Sequence, residues 1–329
     1  MDKLRLSIKI TGCPNRCFYC HSCGGGNKRE VFDIDAILKI ASFFRENINS
    51  DMSVLLMEEQ TFYPKFFELI SALESEGFMQ KGSSKWLVSN CWGLSHVSGF
   101  IDNMKEHYNT VMPTLFGIGE THDLHTGRKG SYNDIIKASA ECLEKGFKVI
   151  WNLKWSKLNT KDMNRLTELA ESMGINSFIN CEYYFYGHFL PEMAEKYLPI
   201  SDDFSKIKYE VAEHSEGVLK TVKEFVDDIK NGITYSIKTV SFDDLYVTDE
   251  LNVYPLGHTS KDYCLGNISN SPDKLIENIT KGTNLPESII EKRKQDFSQM
   301  VLKYADASAK QLHTPQSLFE LLYSSFGGV

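Results

Sequence analysis

The sequence predicts an α/β fold in which a parallel sheet is followed by a small region of mixed structure. Through the first half of the 329 residues, apolar runs of strand length alternate with amphipathic helical stretches. Strands that are separated by helices of ten or more residues imply βαβ units, whose strands pair in parallel. After about Gly187 the alternation stops and shorter runs follow. The alternation alone does not decide whether the sheet is open or curled.

Each predicted element follows from a local pattern. The strands are short apolar runs, and in the helices apolar residues recur every three or four positions. Glycines end the later helices, at Gly146 and Gly174. In chain order the predicted elements are a strand over Leu4–Ile10, a helix from Ile34 to Phe44, a strand over Met52–Met57, a helix from Phe66 to Leu73, a strand over Trp86–Ser89, a strand over Tyr108–Phe116, a helix over Asn133–Lys145, a strand over Phe147–Leu153, a helix over Asp162–Met173 and a strand within Ile175–Tyr186.

The last hundred residues are predicted to form a small α+β appendage. Ser271 and Thr314 each precede a proline, and both pairs predict helix starts because the hydroxyl caps the helix and proline suits its first turn. We therefore predict two domains, residues 1–231 and 232–329. A helix over Val218–Ile229 is predicted just before this boundary, and strands over Tyr235–Val240, Leu245–Val247 and Leu251–Tyr254 are predicted after it.

Composition restricts the class of protein. The chain is 42% hydrophobic and 24% charged, which is typical of a globular protein. Its formal net charge of −8 argues against nucleic-acid binding, which favours a basic surface. No apolar run is long enough to cross a bilayer, so we expect no membrane partner. The N-terminus lacks a secretory apolar segment, and we expect a cytoplasmic protein.

Cys13, Cys17 and Cys20 carry the most specific signal. Their spacing, C-x3-C-x2-C, places three thiols within eight residues directly after the first predicted strand. Such thiols can face one point, which suits a cubane iron–sulfur cluster held by cysteine thiolates. Three ligands leave one of four irons without a protein ligand. An open iron implies chemistry, since four ligands usually close a cluster that only carries electrons.

Two other interpretations of these cysteines stay open. Cys23 follows Cys20 with a further C-x2-C spacing, and the four thiols together could make a closed zinc site in a non-catalytic binding protein. A disulfide is less favoured, because clustered cysteines without a signal peptide indicate metal binding or catalysis. The remaining cysteines are scattered singly, which is typical of small buried apolar residues.

The cysteine motif, with aromatic Tyr19 before its third cysteine, resembles that of the radical S-adenosylmethionine (radical SAM) superfamily. The resemblance implies a partial (β/α)6 barrel with a [4Fe–4S] cluster on Cys13, Cys17 and Cys20, and Tyr19 beside the cofactor. It also implies that the open iron binds S-adenosylmethionine and that an external electron donor, such as flavodoxin or ferredoxin, reduces the cluster. Cleavage of the cofactor would give a 5′-deoxyadenosyl radical that abstracts hydrogen from a substrate.

Two segments after predicted strands resemble cofactor-binding motifs of that family. Glu58 and Glu59 stand where the family often has Gly-Gly-Glu-Pro, and the resemblance makes Glu59 the acceptor for the cofactor's amino group. Both glycines of the motif are missing here, which puts a close backbone approach in doubt. Ser89, Asn90 and Cys91 stand where the family often has Thr-Asn-Gly. The simpler alternatives are a solvated strand end at Glu59 and a plain turn at Ser89.

Later segments give weaker matches. The resemblance implies that Arg128 or Lys129 contacts the cofactor's carboxylate and that Asn152, at a strand end, lies near its ribose. We expect a structural role for the adjacent His122 and Asp123. The tail resembles a SPASM/twitch hairpin without auxiliary-cluster cysteines, because Cys264 alone cannot hold a cluster. Its residues 251–256 end in Tyr-Pro-Leu where the family has Tyr-Pro-Cys.

The substrate is the least determined part of the prediction. By resemblance, a ribosomally made peptide is the first choice and a small metabolite, such as a sugar, nucleoside or amino-acid derivative, is the alternative. Only twelve residues precede Cys13, which we expect to leave no room there for a leader-peptide-binding domain. The aromatic run from Tyr183 to Tyr186 could stack on either substrate or pack in the core.

Overall fold

The computed structural model describes most of the chain. The described residues are 3–20, 28–79, 85–181, 191–211, 219–237, 240–258, 261–306 and 308–323. Cys23 and the aromatic run from Tyr183 to Tyr186 lie outside them, so the predictions about these residues stay predictions.

Strands of the predicted alternation are present, and the structure adds short ones near the C-terminus. In chain order they are β1 (Leu4–Lys9), β2 (Met52–Met57), β3 (Lys85–Val88), β4 (Tyr108–Met112), β5 (Thr114–Leu115), β6 (Lys148–Lys154), β7 (Asn176–Asn180), β8 (Lys220–Thr221), β9 (Asp244–Val247), β10 (Asn252–Pro255), β11 (Gly266–Asn267) and β12 (Leu312–His313).

The helices connect these strands and form the outer layer. They are α1 (Ile34–Asn47), α2 (Phe66–Ser75), α3 (Trp92–His96), α4 (Phe100–Met104), α5 (Glu120–Thr126), α6 (Ser131–Glu144), α7 (Thr160–Ser172), α8 (Ala194–Tyr197), α9 (Ser201–Phe204), α10 (Val222–Lys230), α11 (Pro272–Thr280), α12 (Glu287–Lys294), α13 (Phe297–Tyr304) and α14 (Pro315–Leu322). None of those formed by the described residues is long and apolar enough to span a membrane.

Parallel pairing within two sheets, one containing β1 and β2 and the other containing β3 to β7, confirms the predicted fold class. Strand β1 pairs in parallel with β2, and β4 pairs in parallel with β3 and β6, which in turn pairs with β7. The side chains of Leu4, Leu6 and Ile8 on β1 are fully buried, and they belong to one core with residues of α1, α2, α6 and α7. Carboxyl ends of parallel strands meet at one rim of such a sheet, so the loops after these strands converge there.

The single strand predicted over Tyr108–Phe116 is wrong in detail, because Pro113 divides it. Proline has no N–H for the strand ladder, so it interrupts regular pairing. Strands β4 and β5 flank Pro113, and both pair with β6. The carbonyl of Pro113 still accepts a hydrogen bond of 2.9 Å from Asn152 N. This register brings Thr114 beside Asn152 at the rim.

The C-terminal region is joined to the sheet, which the sequence did not indicate. Strand β9 pairs in parallel with the free edge of β1, and β10 and β11 continue from it as an antiparallel extension. Leu245 and Val247 on β9 belong to the same core as β1. The ion pair of Arg5 with Asp244 reinforces this junction. The boundary near residue 231 therefore stays a prediction, with a shared core on both sides of it.

Two details of the predicted C-terminal elements differ from the structure. The described part of Tyr235–Val240 forms no strand; Tyr235 instead packs its ring against Phe225 and Phe297. Of the two predicted helix caps, Thr314 accepts a hydrogen bond from Ser317 N at 3.1 Å, but Ser271 makes no side-chain cap. Proline at the first turn is present in both helices.

Candidate active site

The cysteine loop follows β1 and is held at both of its stems. Gly12 N donates to Lys28 O at 2.6 Å, and Thr11 Oγ1 donates to Arg29 O at 2.8 Å. Across the rim, Arg16 N donates to Thr126 O at 2.7 Å. Gly127 makes this approach possible, since its φ is 64° and an added Cβ would lie 2.9 Å from Arg16 O. Cys13 and Cys17, the first two predicted ligands, therefore lie on a loop that is held by hydrogen bonds at its ends and across the rim.

The thiols of Cys13, Cys17 and Cys20 lie near enough to influence one another. Burial raises the pKa of Cys13, and the carboxylate of Glu59 and the two other thiols raise it further. Burial also raises the pKa of Cys17 to about 12, although a hydrogen bond with Tyr19 and the charge of Arg128 oppose this rise. The raised pKa values favour the protonated thiols at Cys13 and Cys17, so iron binding there would release protons.

The cysteine loop offers the kind of donors that a cluster binds. Among the described residues, which do not include Cys23, no three His, Cys, Asp or Glu side chains form a group that could hold a single metal ion. A cubane cluster spreads its cysteine ligands over different irons. Neighbouring, partly exposed thiols on one anchored loop fit this requirement.

Aromatic rings hold the loop between its second and third cysteines. The ring of Phe18 stacks on Tyr197 with centroids 3.9 Å apart, and the ring of Tyr19 stacks on Phe116 at 4.2 Å. Tyr19 was predicted to lie beside the cofactor. The structure places its ring against the residue that follows β5, where it fixes the loop.

Glu59 lies just beyond β2, where it is almost fully buried and accepts four hydrogen bonds. Its Oε1 accepts from Thr61 N at 3.3 Å, Thr61 Oγ1 at 2.6 Å and Ser89 Oγ at 2.7 Å, and its Oε2 accepts from Asn90 N at 2.6 Å. The side chain is 5% exposed, so the alternative of a solvated strand end is wrong. Burial raises the pKa of Glu59, and these hydrogen bonds oppose the rise.

The charge of Glu59 is uncompensated within the described part of the chain. No lysine, arginine or histidine there lies within ion-pair distance of its carboxylate. A buried charge is costly unless an opposite charge or hydrogen bonds stabilise it. Oε2 accepts one hydrogen bond, from Asn90 N, and retains room for a further donor. This geometry suits an incoming ammonium group.

Ser89 and Asn90, beyond β3, are engaged within the protein. Ser89 is 6% exposed, and its Oγ accepts from Cys91 N at 2.8 Å while it donates to Glu59. The side chain of Asn90 contacts Cys13 Sγ and Trp92 N. Their place near the cofactor stays a prediction. Their hydrogen bonds go to Glu59, to the backbone N–H groups of Cys91 and Trp92 and to the sulfur of Cys13.

Two residues that stand in place of motif glycines have a left-handed backbone conformation. Glu58 has a φ of 68° and Cys91 a φ of 64°, in the left-handed region that favours glycine. Each stands where the family motif carries a glycine. The chain therefore keeps the left-handed turns at these two rim positions at a cost of about 1 kcal/mol each. Glycine is lost while the backbone geometry that it favours is kept.

Arg128 is held beside the cysteine loop with part of its guanidinium unused. Its Nε donates to Asn15 Oδ1 at 2.6 Å, and its Nη1 lies 2.7 Å from Asp134 Oδ2. In the part of the chain that is described, its buried Nη2 has no hydrogen-bond partner. An unpaired guanidinium N–H suits a carboxylate ligand. Lys129, the other predicted candidate, is exposed.

Asn152 belongs to a row of polar side chains at the ends of three strands. Its Nδ2 donates to Thr114 Oγ1 at 3.3 Å, and its Oδ1 accepts from Asn180 Nδ2 at 2.8 Å. Lys154 Nζ donates to Asn180 Oδ1 at 3.1 Å. The sequence analysis missed Asn180, although a polar residue at the end of a predicted strand was the available signal.

His122 and Asp123 have the structural role that was expected. His122 Nδ1 accepts from Phe116 N at 3.1 Å, and burial lowers its pKa to about 3. Asp123 accepts hydrogen bonds from Gly130 N at 2.6 Å and Tyr132 N at 2.9 Å, which caps α6. The hydrogen bonds described for both side chains go to residues of the surrounding loops and of α6.

The tail contributes one thiol away from the loop. Cys264 is partly buried, and its Sγ lies 3.6 Å from Gly266 O. Cys91 and Cys142 are fully buried, as expected for apolar core residues. The tail thus supplies no second group of thiols within its described residues.

A parallel α/β barrel with a three-thiol loop after its first strand and a buried carboxylate after its second defines a cofactor-dependent enzyme. Residues 7–158 match the family model described as the radical SAM superfamily. This segment is a radical SAM domain, and the protein is an enzyme that uses a [4Fe–4S] cluster and S-adenosylmethionine. No curated protein sequence matches it.

Solved structures of low sequence identity share the fold. The crystal structure of Streptococcus suis SuiB bound to precursor peptide SuiA has a TM-score of 0.51 and 13% identity, over 94% of this chain and 75% of that one. SuiB bound to S-adenosylmethionine gives a TM-score of 0.49 and 14% identity, over 92% of this chain and 75% of that one. At these identities the likeness concerns the fold.

Proposed function

We propose that this radical SAM enzyme modifies a ribosomally made peptide, with its cluster on Cys13, Cys17 and Cys20. When bound, the cluster and S-adenosylmethionine together supply the adenosyl radical that abstracts hydrogen. The observation that carries the proposal is the anchored three-thiol loop beside a buried, uncompensated carboxylate. The resemblance in fold to SuiB, which was crystallised with a precursor peptide, supports a peptide over a small metabolite.

The residues around the loop would bind the two charged groups of the cofactor's methionine part. Glu59 would accept its ammonium through Oε2, because a cation at this place compensates a buried negative charge. Arg128 would donate from Nη2 to its carboxylate. Asn152 would face the ribose, held in one orientation by Thr114 and Asn180. Buried walls around these groups would exclude water from the reacting atoms.

The proposal also concerns the partners and the compartment. An external donor, flavodoxin or ferredoxin, would supply the electron, as the family requires. Because thiols must stay reduced to bind iron, we propose that the enzyme works in the cytoplasm.

The cluster assignment is tested by anaerobic reconstitution with iron and sulfide, followed by reductant and S-adenosylmethionine. We expect a brown protein that forms 5′-deoxyadenosine, and we expect Cys13→Ala, Cys17→Ala and Cys20→Ala each to abolish it. Cys264→Ala is the matched control and should leave the product unchanged. A colourless protein that retains one zinc ion would contradict the assignment.

The substrate is tested with any short peptides found to be encoded beside the gene. We expect one of them to change in mass in proportion to the 5′-deoxyadenosine formed. If these peptides are inert and a sugar, nucleoside or amino-acid derivative raises 5′-deoxyadenosine formation, the enzyme acts on a small metabolite and the peptide proposal is wrong.

A further inference from the structure

Asn90 connects three parts of the candidate site. Its backbone N donates to Glu59 Oε2 at 2.6 Å, and its Oδ1 accepts from Trp92 N at 2.9 Å, at the start of α3. Its Nδ2 donates to Cys13 Sγ, and the nitrogen and sulfur are 3.3 Å apart. These contacts link the loop after β3 to the end of β2 and to the cysteine loop.

The orientation of the Asn90 amide follows from its partners. The oxygen and the NH2 group of an asparagine amide are similar in shape, so the hydrogen-bond network decides which end faces which partner. The Trp92 N–H is a donor and requires the oxygen of Asn90. The NH2 group therefore faces Cys13. The left-handed conformation of Cys91 turns the chain so that Trp92 N returns to the Asn90 side chain.

A donor at a ligand sulfur affects the electron affinity of a cluster. Hydrogen bonds to the sulfurs are among the factors that set the reduction potential of iron–sulfur clusters. They stabilise the more negative, reduced state more than the oxidised one, and so raise the potential. Glu59 acts in the opposite direction, since its negative charge lies near Cys13. Asn90 is hydrogen-bonded to both the sulfur of Cys13 and the carboxylate of Glu59.

We propose that Asn90 is a positioning residue that raises the reduction potential of the cluster by donating from Nδ2 to the sulfur of Cys13. This inference rests on the proposed ligand set. The backbone N–H of Asn90 also donates to Glu59 Oε2. This hydrogen bond weakens the effect of the Glu59 charge on the cluster. The chain thus keeps an uncompensated carboxylate beside the cluster without leaving the cluster too hard to reduce.

The test is a redox titration of reconstituted protein followed by electron paramagnetic resonance. Asn90→Ser keeps an oxygen that can accept from Trp92 N, and its shorter side chain removes the amide N–H that donates to the sulfur. We expect its midpoint potential to fall by about 59 mV. For a one-electron reduction this corresponds to a tenfold smaller equilibrium constant. Asn90→Asp, which also adds a charge, should lower it further. Asn103→Ser, on the exposed face of α4, is the matched control and should not change it.

The outcomes separate this inference from the proposed function. If wild-type protein assembles no cluster, the proposed ligand set is wrong. If wild-type and both Asn90 variants assemble clusters of equal potential, the ligand set stands and the inference about Asn90 is overturned. If Asn90→Ser fails to assemble a cluster, the potential of Asn90→Asp decides, and a value equal to that of wild type contradicts the inference. Unfolding midpoints of the metal-free variants show whether either substitution merely disturbs the fold.

Discussion

Two buried carboxylates of this protein have opposite surroundings. Glu59 at the barrel rim is 5% exposed and Glu320 on α14 is 3% exposed. Glu320 accepts from Lys292 Nζ at 2.6 Å and from Gln316 Nε2 at 3.1 Å. Glu59 is bound by neutral donors from the backbone and from hydroxyl groups. Glu320 has a counter-charge in Lys292, whereas Glu59 has no ion-pair partner among the described residues.

The surroundings of Lys292 show what complete compensation involves. Besides Glu320, the lysine faces the rings of Tyr263, Phe319 and Tyr323, with Nζ 5.5, 5.8 and 4.8 Å from their centroids. Burial still lowers the pKa of Lys292, although the charge of Glu320 opposes this. This pair in the C-terminal region thus satisfies its charges internally. At the rim, the carboxylate of Glu59 is available to bind a cation from outside the protein, as expected of a binding site.

The largest effect that the comparison predicts is on stability. Lys292→Met leaves Glu320 buried without its cation, and breaking a buried pair in this way costs about 3–5 kcal/mol. Denaturant unfolding should show this loss relative to wild type. The double variant Lys292→Met with Glu320→Leu removes both charges and should recover most of it. Equal stability of the single variant and wild type would show that the pair is not buried as described.

A second prediction concerns an uncompensated group in the C-terminal region. His313 is fully buried, its Nδ1 has no partner among the described residues, and burial lowers its pKa to about 4. The unfolded chain, with a pKa near the ordinary ~6.5, binds a proton first as pH falls. Stability is therefore lost from about pH 6.5 down to about pH 4, by about 3 kcal/mol at most.

The measurement is the free energy of unfolding as a function of pH. His313→Leu removes the titrating group, so the difference between wild type and variant should shift in favour of the variant as pH falls through this window. His122, which is also buried but accepts a hydrogen bond from Phe116 N, remains in both proteins and cancels. Parallel curves for the two proteins would contradict the prediction.

The rim carboxylate should affect binding more than folding. Glu59→Gln removes the negative charge, and we expect the affinity of the reconstituted enzyme for S-adenosylmethionine to fall at least tenfold, about 1.4 kcal/mol. Anaerobic calorimetry measures it. Glu58→Gln, one residue away, is the matched control and should change the affinity much less. Equal affinities for Glu59→Gln and wild type would remove the ammonium role from Glu59.

The smallest expected effect concerns the left-handed backbone of the rim. Glu58→Gly relieves the strained φ but gives the unfolded chain more freedom, and we expect a net gain of about 0.5 kcal/mol in stability. Leu251, with a φ of 63° next to β10, allows the same substitution in the C-terminal region. Glu58→Ala keeps the strain and should not stabilise. A loss of stability in Glu58→Gly would mean that side-chain contacts of Glu58 outweigh the strain.

Local patterns were sufficient for much of the fold. Alternation of strands and helices gave the parallel sheet, and the cysteine spacing gave the loop, because both are properties of short segments. The pairing of β9 with β1 could not be read from the sequence, since it joins residues some 240 positions apart and leaves no local pattern. The break at Pro113 was readable from proline chemistry and was overlooked.

The candidate site was predictable in position but not in connectivity. The resemblance to the radical SAM motifs indicated Glu59, Ser89, Asn90 and Asn152, and each lies just after or at the end of a strand. The sequence could not show that Ser89 and Thr61 bind the Glu59 carboxylate, or that Asn90 reaches Cys13 across 77 positions. Such contacts depend on how the loops converge, which packing of the whole barrel determines.

The most direct test of the account is Mössbauer spectroscopy of the reconstituted wild-type protein before and after addition of S-adenosylmethionine. Three protein thiolates predict that one iron of the four changes its spectrum when the cofactor binds, and that the other three do not. A spectrum that the cofactor leaves unchanged, or the absence of a four-iron cluster in wild-type protein, would contradict the assignment of an open iron to this loop.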